Sequence, residues 1–291
     1  MTVQTAAILS PGDMGHSVGQ RLREHGLRVI TCLEGRSERT RQLAAKARIE
    51  DVGSYEEMVK QADLILSILV PAQAVAAAER VAAAIETTAS DVAYVDCNAI
   101  APQTARRIEQ IMALAGARFI DAGIIGPPPR GNARTRFYVS GKHTAIMLAL
   151  NERGLQVIDL QGPAGQASAF KMCYAALTKG LTALCTELLT AAHALGISEP
   201  LAKELSESQA ELYMRMRRGV PAMPAKARRW IGEMEEIAAT FEALGLTPDI
   251  LHGAAEMYRL VASTTLAERT PEDTTPLPSL EEVVATLAEA L

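Results

Sequence analysis

The chain has 291 residues, a net charge of −5 at pH 7 and a pI near 5.7, which removes any general attraction to nucleic acid or anionic membranes and leaves small-molecule chemistry as the expectation. Cys32, Cys97, Cys173 and Cys185 are widely spaced, and the histidines show no metal-ligand pattern, so free thiols, a reducing cytoplasm and no metal are predicted. The longest uncharged apolar run, residues 64–78, is interrupted by Ser67, Pro71 and Gln73, too polar to span a membrane, and no export signal opens the chain.

In chain order, residues 3–9 read as a short buried strand. The turn Ser10-Pro11-Gly12-Asp13-Met14-Gly15 follows, then a helical pattern through Val18 and Leu22 to Gly26, and a second strand over 27–33. This is a strand, glycine turn, helix and strand unit of the length expected for a dinucleotide-binding βαβ motif. Its glycines let the backbone approach a pyrophosphate whose charge meets the helix N-terminus, so Ser10, Gly12, Asp13, Met14 and Gly15 are candidate cofactor residues. Ser10 stands where the first glycine is usual, and Asp13 repels a phosphate unless it caps the helix or points to solvent.

After the second strand come Glu34, Arg36 and Ser37, at the place where an adenine ribose lies in such folds. An acid there favours the free 2′-hydroxyl of NAD, whereas arginine and serine accept the 2′-phosphate of NADP. Arg36 and Ser37 favour NADP, and Glu34 is the argument for NAD.

The alternation continues with a helix over 55–61, a strand over 63–69, a helix over 72–85, a strand over 92–97, a helix over 102–115 and a strand over 118–123. Repeated strand and helix predict an α/β Rossmann-type domain, doubly wound around a mostly parallel sheet. Loops at the carboxyl edge, carrying Val70, Pro71 and Asn98, would line the cofactor. Ile124 to Gly131, with three prolines between two glycines, is a stiff loop suited to a pocket wall. Strands over 134–140 and 155–160 complete the domain, placing the boundary near Gly162 and giving domains 1–162 and 163–291.

Residues 164–196 then contain no proline and few charges and predict one buried helix, about 45 Å long if continuous. Lys171 near its start needs a reason, because burying an ammonium is costly. It either snorkels to water or acts on a bound substrate. The rest is all-helical: 199–217, a break at 220–224, then 225–244, 248–266 and, after an acidic, threonine-rich linker at 268–276, 280–291. The apolar faces of this half exceed one small bundle, which predicts a homodimer through it.

Four stretches together resemble the β-hydroxyacid dehydrogenase family, which includes 6-phosphogluconate and 3-hydroxyisobutyrate dehydrogenases. They are S-P-G-D-M-G from Ser10, D-C-N-A-I-A-P from Asp96, D-A-G-I-I-G-P from Asp121 and G-P-A-G-Q-A-S-A-F-K from Gly162. The resemblance implies hydride transfer between NAD(P) and a small hydroxy acid or related carbonyl compound, with Lys171 as general acid/base. Ile125, Gly126, Pro127, Tyr174, Thr178 and Lys179 are the implied substrate-binding set, and Arg130, Arg134 or Lys179 would hold a substrate anion. The chain departs from the family at Ile125 (a serine position), Pro127 (a glycine position) and Ala175 (an asparagine position), and a late lysine is replaced around Gly232-Glu233. With these departures the chain resembles a divergent branch of that family. An imine reductase of the same architecture and a non-catalytic dinucleotide-binding protein are the alternatives.

Overall fold

A computed structural model describes residues 3–270 and 273–291. Among them the first apolar run forms β1 (Thr5–Ile8), paired in parallel with β2 (Arg28–Thr31) on one side and β4 (Leu64–Ser67) on the other. β3 (Glu50–Asp51) extends the β2 edge, and β5 (Ala93–Asp96), β6 (Arg118–Ile125), β7 (Arg136–Ser140) and β8 (Gln156–Asp159) extend the other. The order is β3-β2-β1-β4-β5-β6-β7-β8, parallel except for the antiparallel β6/β7 pair. The expected doubly wound, mostly parallel sheet is therefore present.

Side chains of β1 alternate between two cores. Ala6 and Ile8 pack with Val18, Leu22 and Phe137 on one face of the sheet, while Ala7 and Leu9 pack with Val81, Ile85 and Tyr94 on the other. A strand buried on both faces is apolar throughout, which is why 3–9 reads as an uninterrupted run. Helices α1 (Asp13–Glu24), α2 (Glu38–Lys46), α3 (Tyr55–Gln61), α4 (Ala74–Thr88), α5 (Pro102–Leu114) and α6 (Ala145–Leu148) connect the strands. The strand order reverses between β1 and β4, and such a switch point leaves a crevice at the carboxyl edge where ligands bind. β3 and α6 were not expected; β3 is two exposed acidic residues without an apolar pattern to reveal it.

The predicted long helix is α7 (Gln166–Ala175), a π-helical turn (Ala176–Gly180) and α8 (Leu181–Ala194). The chain divides into two compact units, Met1–Met172 and Cys173–Leu291, and the first turns of α7 fall with the sheet. The reason is that the first turns of α7 are bonded to the sheet: Ser168 N and Gly165 N donate to Asp121, and Ala167 N donates to Ser140 Oγ.

The second unit holds α8, α9 (Ser198–Ser208), α10 (Ala210–Ala222), α11 (Pro224–Glu242), α12 (Asp249–Ser263) and α13 (Leu280–Glu289). The helix expected over 199–217 is split at Gln209 (φ −134°, ψ 40°). Ser206 and Ser208 bond back to the carbonyls of Lys203 and Glu204, the local competition by which serine weakens a helix. Of the linker predicted over 268–276, residues 271 and 272 lie outside the described residues. No described helix is long and apolar enough to cross a membrane.

Candidate active site

At the carboxyl end of β1 the chain turns through Gly12, which precedes α1 without any side-chain cap on that helix. A Cβ on Gly12 would meet nothing within 4 Å, so the space beside this residue at the helix start is open. Gly15 is the opposite case. A Cβ there would stand 2.2 Å from the Ser10 carbonyl oxygen, a contact no side chain survives, so only glycine lets α1 pack this closely on the turn. Asp13 points neither to solvent nor into a cap: its carboxylate pairs with Arg130, whose Nε also donates to Ser17 Oγ at 2.9 Å. His16, buried beside them, bonds through Nδ1 to the Gly12 carbonyl at 2.7 Å; desolvation lowers its pKa.

Beyond β2, Glu34 reaches Arg80 at 3.6 Å, and Arg80 lies over the Tyr55 ring, 4.4 Å from its centroid. Arg36 turns inward, donating through Nη2 to the Leu9 carbonyl (3.1 Å) and to Tyr55 Oη (3.3 Å). Its buried Nε has no partner among the described residues. Ser37 is the N-cap of α2, accepting from Thr40 N at 3.3 Å.

At the ends of β4 and β5, Asn98 has both its side-chain functions engaged. Oδ1 accepts from Leu69 N, and Nδ2 donates to Ser67 Oγ (3.0 Å) and Asp96 Oδ2 (2.9 Å). With its two N–H donors spent, Asn98 fixes the loop to exposed Val70 and buried Pro71 rather than offering a free donor.

The last strand of the parallel set, β6, lies beside the start of α7 and Lys171. Asp121, fully buried, accepts from Ser140 Oγ (3.0 Å), Gly165 N (2.8 Å), Ser168 N (3.0 Å) and Ser168 Oγ (2.6 Å). A carboxylate at a helix start meets its unpaired amides and the positive end of its dipole. Burial nevertheless pushes the Asp121 carboxyl up, with the hydrogen bonds from Ser168, Ser140 and Gly165 opposing. Two residues on, Gly123 lies against α7, and the next carbonyl, of Ile124, accepts a hydrogen bond from Lys171 Nζ. Lys171 is half-buried, so its stem is packed and its ammonium is held at a chosen place.

Ile125 ends β6 and is 4% exposed, while Gly126 turns away with φ +114° and Pro127 is exposed, its carbonyl accepting from Thr135 Oγ1 at 2.6 Å. A Cβ on Gly126 would come within 2.3 Å of the Arg134 carbonyl oxygen, so the turn requires glycine. Asp121, Ser140 and Ser168 were missed by sequence reasoning. The signal available was Asp121 as the charged residue inside an apolar strand and Ser168 in the first turn of a helix, but their meeting is long-range.

Within the helical unit, Tyr174 is exposed and its carbonyl accepts from Thr178 Oγ1 at 3.1 Å. Lys179 corrects the substrate-binding expectation. Its ammonium is buried and bonded to Glu233, which Arg229 Nε also reaches at 3.1 Å, and the Trp230 ring centroid lies 5.7 Å away. The Lys179 carbonyl, in the π-helical turn, accepts from Tyr258 Oη at 2.6 Å. A buried lysine needs a counter-charge, and here the protein supplies it.

Residues 6–151 match the family model of the NAD binding domain of 6-phosphogluconate dehydrogenase, and residues 192–261 match a domain of unknown function, DUF1932. The chain is a divergent member of the β-hydroxyacid dehydrogenase family. It is 27% identical, with a TM-score of 0.67, to a conserved protein of unknown function described as structurally similar to 3-hydroxyacid dehydrogenases; the match covers 89% of this chain and 96% of that one. Mycobacterium tuberculosis 3-hydroxyisobutyrate dehydrogenase, solved with L-serine, shares the fold with a TM-score of 0.70 at 20% identity, over 99% of both chains. An uncharacterized 28.5 kDa protein of Methanothermus fervidus is 25% identical over 85% of this chain and 95% of its own.

As a member of this family the protein is an NAD(P)-dependent oxidoreductase that uses a nicotinamide dinucleotide. The residues fit that group. The uncapped α1 start with open space at Gly12 suits a diphosphate, and the orphaned Arg36 Nε stands at the ribose end.

Proposed function

We propose that this β-hydroxyacid dehydrogenase family member moves a hydride between NADP and the carbinol carbon of a small hydroxy acid or related carbonyl compound, with Lys171 as general acid/base. The observation that carries the reading is the seating of Lys171. Asp121 fixes the start of its helix, Gly123 admits its stem against β6, and the Ile124 carbonyl orients its ammonium. Bound nicotinamide supplies the carbon that gives or takes the hydride.

The chain's own part is to bind, orient and move a proton. The Ser10–Gly15 turn, including Met14, holds the diphosphate, and Val70 and Pro71 flank it. Arg36, braced by Leu9 and Tyr55, is the proposed ligand of the 2′-phosphate, with Ser37 fixing the start of α2 beside it. In reduction, Lys171 Nζ donates its proton to the substrate oxygen as negative charge develops there; in oxidation it takes that proton back. General acid catalysis of this kind contributes on the order of 10²- to 10⁴-fold.

A second reading, reduction of an imine, draws support from Ile125, an apolar side chain 4% exposed where a serine hydroxyl is usual in the family. It removes a carboxylate-binding group and leaves an apolar wall. NADPH oxidation followed with carbonyl compounds, with and without amines, separates the two. Lys171→Ala that binds cofactor and keeps full turnover would overturn the acid/base assignment. The helical unit is the proposed homodimer contact, since Leu177, Leu184 and Leu195 are exposed there.

A further inference from the structure

The loop after β6 sends one side chain back to the dinucleotide turn. Pro127, Pro128 and Pro129 stiffen it, and Arg130 N donates to the Pro128 carbonyl at 2.8 Å while the Arg130 carbonyl accepts from Ala133 N at 3.0 Å. Arg130 is thus delivered from a fixed backbone. Its guanidinium spans the first turn of α1: Nε donates to Ser17 Oγ (2.9 Å), and Nη2 donates to the Asp13 carbonyl (3.3 Å) and carboxylate and lies 3.4 Å from His16 Nε2. With Nδ1 of His16 against the Gly12 carbonyl at 2.7 Å, Nε2 is the acceptor, so these contacts are mutually consistent. Nη1 has no protein partner among the described residues.

Asp13 alone would make this a poor diphosphate site, since a carboxylate in the first turn repels the ligand the turn is shaped for. Paired with Arg130 it is neutral, and the pair places an arginine fork where planar, bidentate recognition of phosphate is strongest. We propose that Arg130 is a cofactor-diphosphate ligand, carried on the loop after β6 and held in waiting by the Asp13 carboxylate, which acts as an internal stand-in for phosphate. Binding of the dinucleotide exchanges one anion for another on the same guanidinium. Because the loop continues directly from Ile124 and Ile125, cofactor binding also fixes the segment next to the Lys171 ammonium. The inference rests on the dinucleotide site described above, and it assigns Arg130 to cofactor instead of to a substrate anion.

The test is equilibrium titration of the full-length protein with NADPH, by nucleotide fluorescence, and with ADP-ribose, by calorimetry. ADP-ribose keeps the diphosphate and lacks nicotinamide. Arg130→Gln should weaken both by about 10- to 100-fold, the range for a hydrogen bond to a charged group, and should flatten the dependence of Kd on salt. Asp13→Asn, which removes the competing anion and keeps the shape, should tighten both. If Arg130→Gln does not fold, Arg130→Lys, with the charge but not the fork, should weaken both and carries the same decision. Unchanged affinity in the Arg130 variants overturns the proposal, and so does Asp13→Asn weakening both ligands, which would make the pair a structural clamp. Wild-type protein that binds neither nucleotide would overturn the dinucleotide site itself.

Discussion

Gly123 on β6 touches the stem of Lys171 so closely that a Cβ added to the glycine would stand 3.0 Å from Lys171 Cβ and 2.8 Å from the Ala167 carbonyl oxygen. The strand and the helix bearing Lys171, the proposed acid/base, meet backbone to backbone at this point. Gly123→Ala must push α7 away from β6, because the nearer atom is main chain and cannot rotate aside. Overpacking of this kind costs about 1–3 kcal/mol. Urea denaturation should show the midpoint falling, and turnover should fall with it while NADPH affinity stays. A variant as stable and active as wild type would show that the contact has room to spare.

Asp121 gives a pH dependence of definite sign. Burial raises its folded pKa from the ordinary value of 3.8. A carboxyl with a raised folded pKa contributes stability that is fully present below 3.8 and lost as the pH rises through the folded value. Asp121→Asn does not titrate. The stability of wild type relative to Asp121→Asn should therefore increase on acidification through that window, by about 1.4 kcal/mol per unit of displacement. Denaturation curves for both proteins across the acid range measure it. A difference that shrinks with acid would mean that the four hydrogen bonds outweigh burial and depress the pKa.

Lys179 is assigned to structure. Lys179→Met takes the buried ammonium away from Glu233 and should cost about 3 kcal/mol, as expected when one partner of a buried ion pair is removed. Lys179→Met with Glu233→Met should recover part of that loss, since neither buried charge remains. NADPH affinity should be unaffected in the single variant. Thermal and chemical denaturation with a binding titration test all three statements, and a stable Lys179→Met would remove the structural assignment.

In the proposed reading, cofactor choice turns on Arg36. Arg36→Ala should weaken NADPH by about 10- to 100-fold and NADH much less, because only NADPH brings a 2′-phosphate to the guanidinium. Glu34→Gln should favour NADPH further by removing a nearby negative charge. Parallel titrations with the two nucleotides decide it. Equal losses for both would return the preference to NAD and make Arg36 a brace for Leu9 and Tyr55.

What the sequence determined by itself is everything carried by local pattern. The apolar run of β1, the glycines before α1, the helix over 55–61, the proline opening α5 and the uninterrupted helical stretch from Gln166 were legible because periodicity and turn chemistry act over a few residues. Lys171 stood out for the same reason, a cation in an apolar segment. What only the tertiary structure decided is which charge each polar residue meets. Asp13 looked like an obstacle to a phosphate until Arg130, 117 residues away, neutralised it. Whether Lys179 meets substrate, a carboxylate or water was open in the sequence until Glu233, 54 residues on, paired with it, and Asp121 was only the first residue of a motif until it bonded Ser168, 47 residues later. Local sequence fixes which backbone a segment adopts, but the partner of a buried charge is chosen by the topology that brings distant segments together, and no short-range pattern encodes that choice.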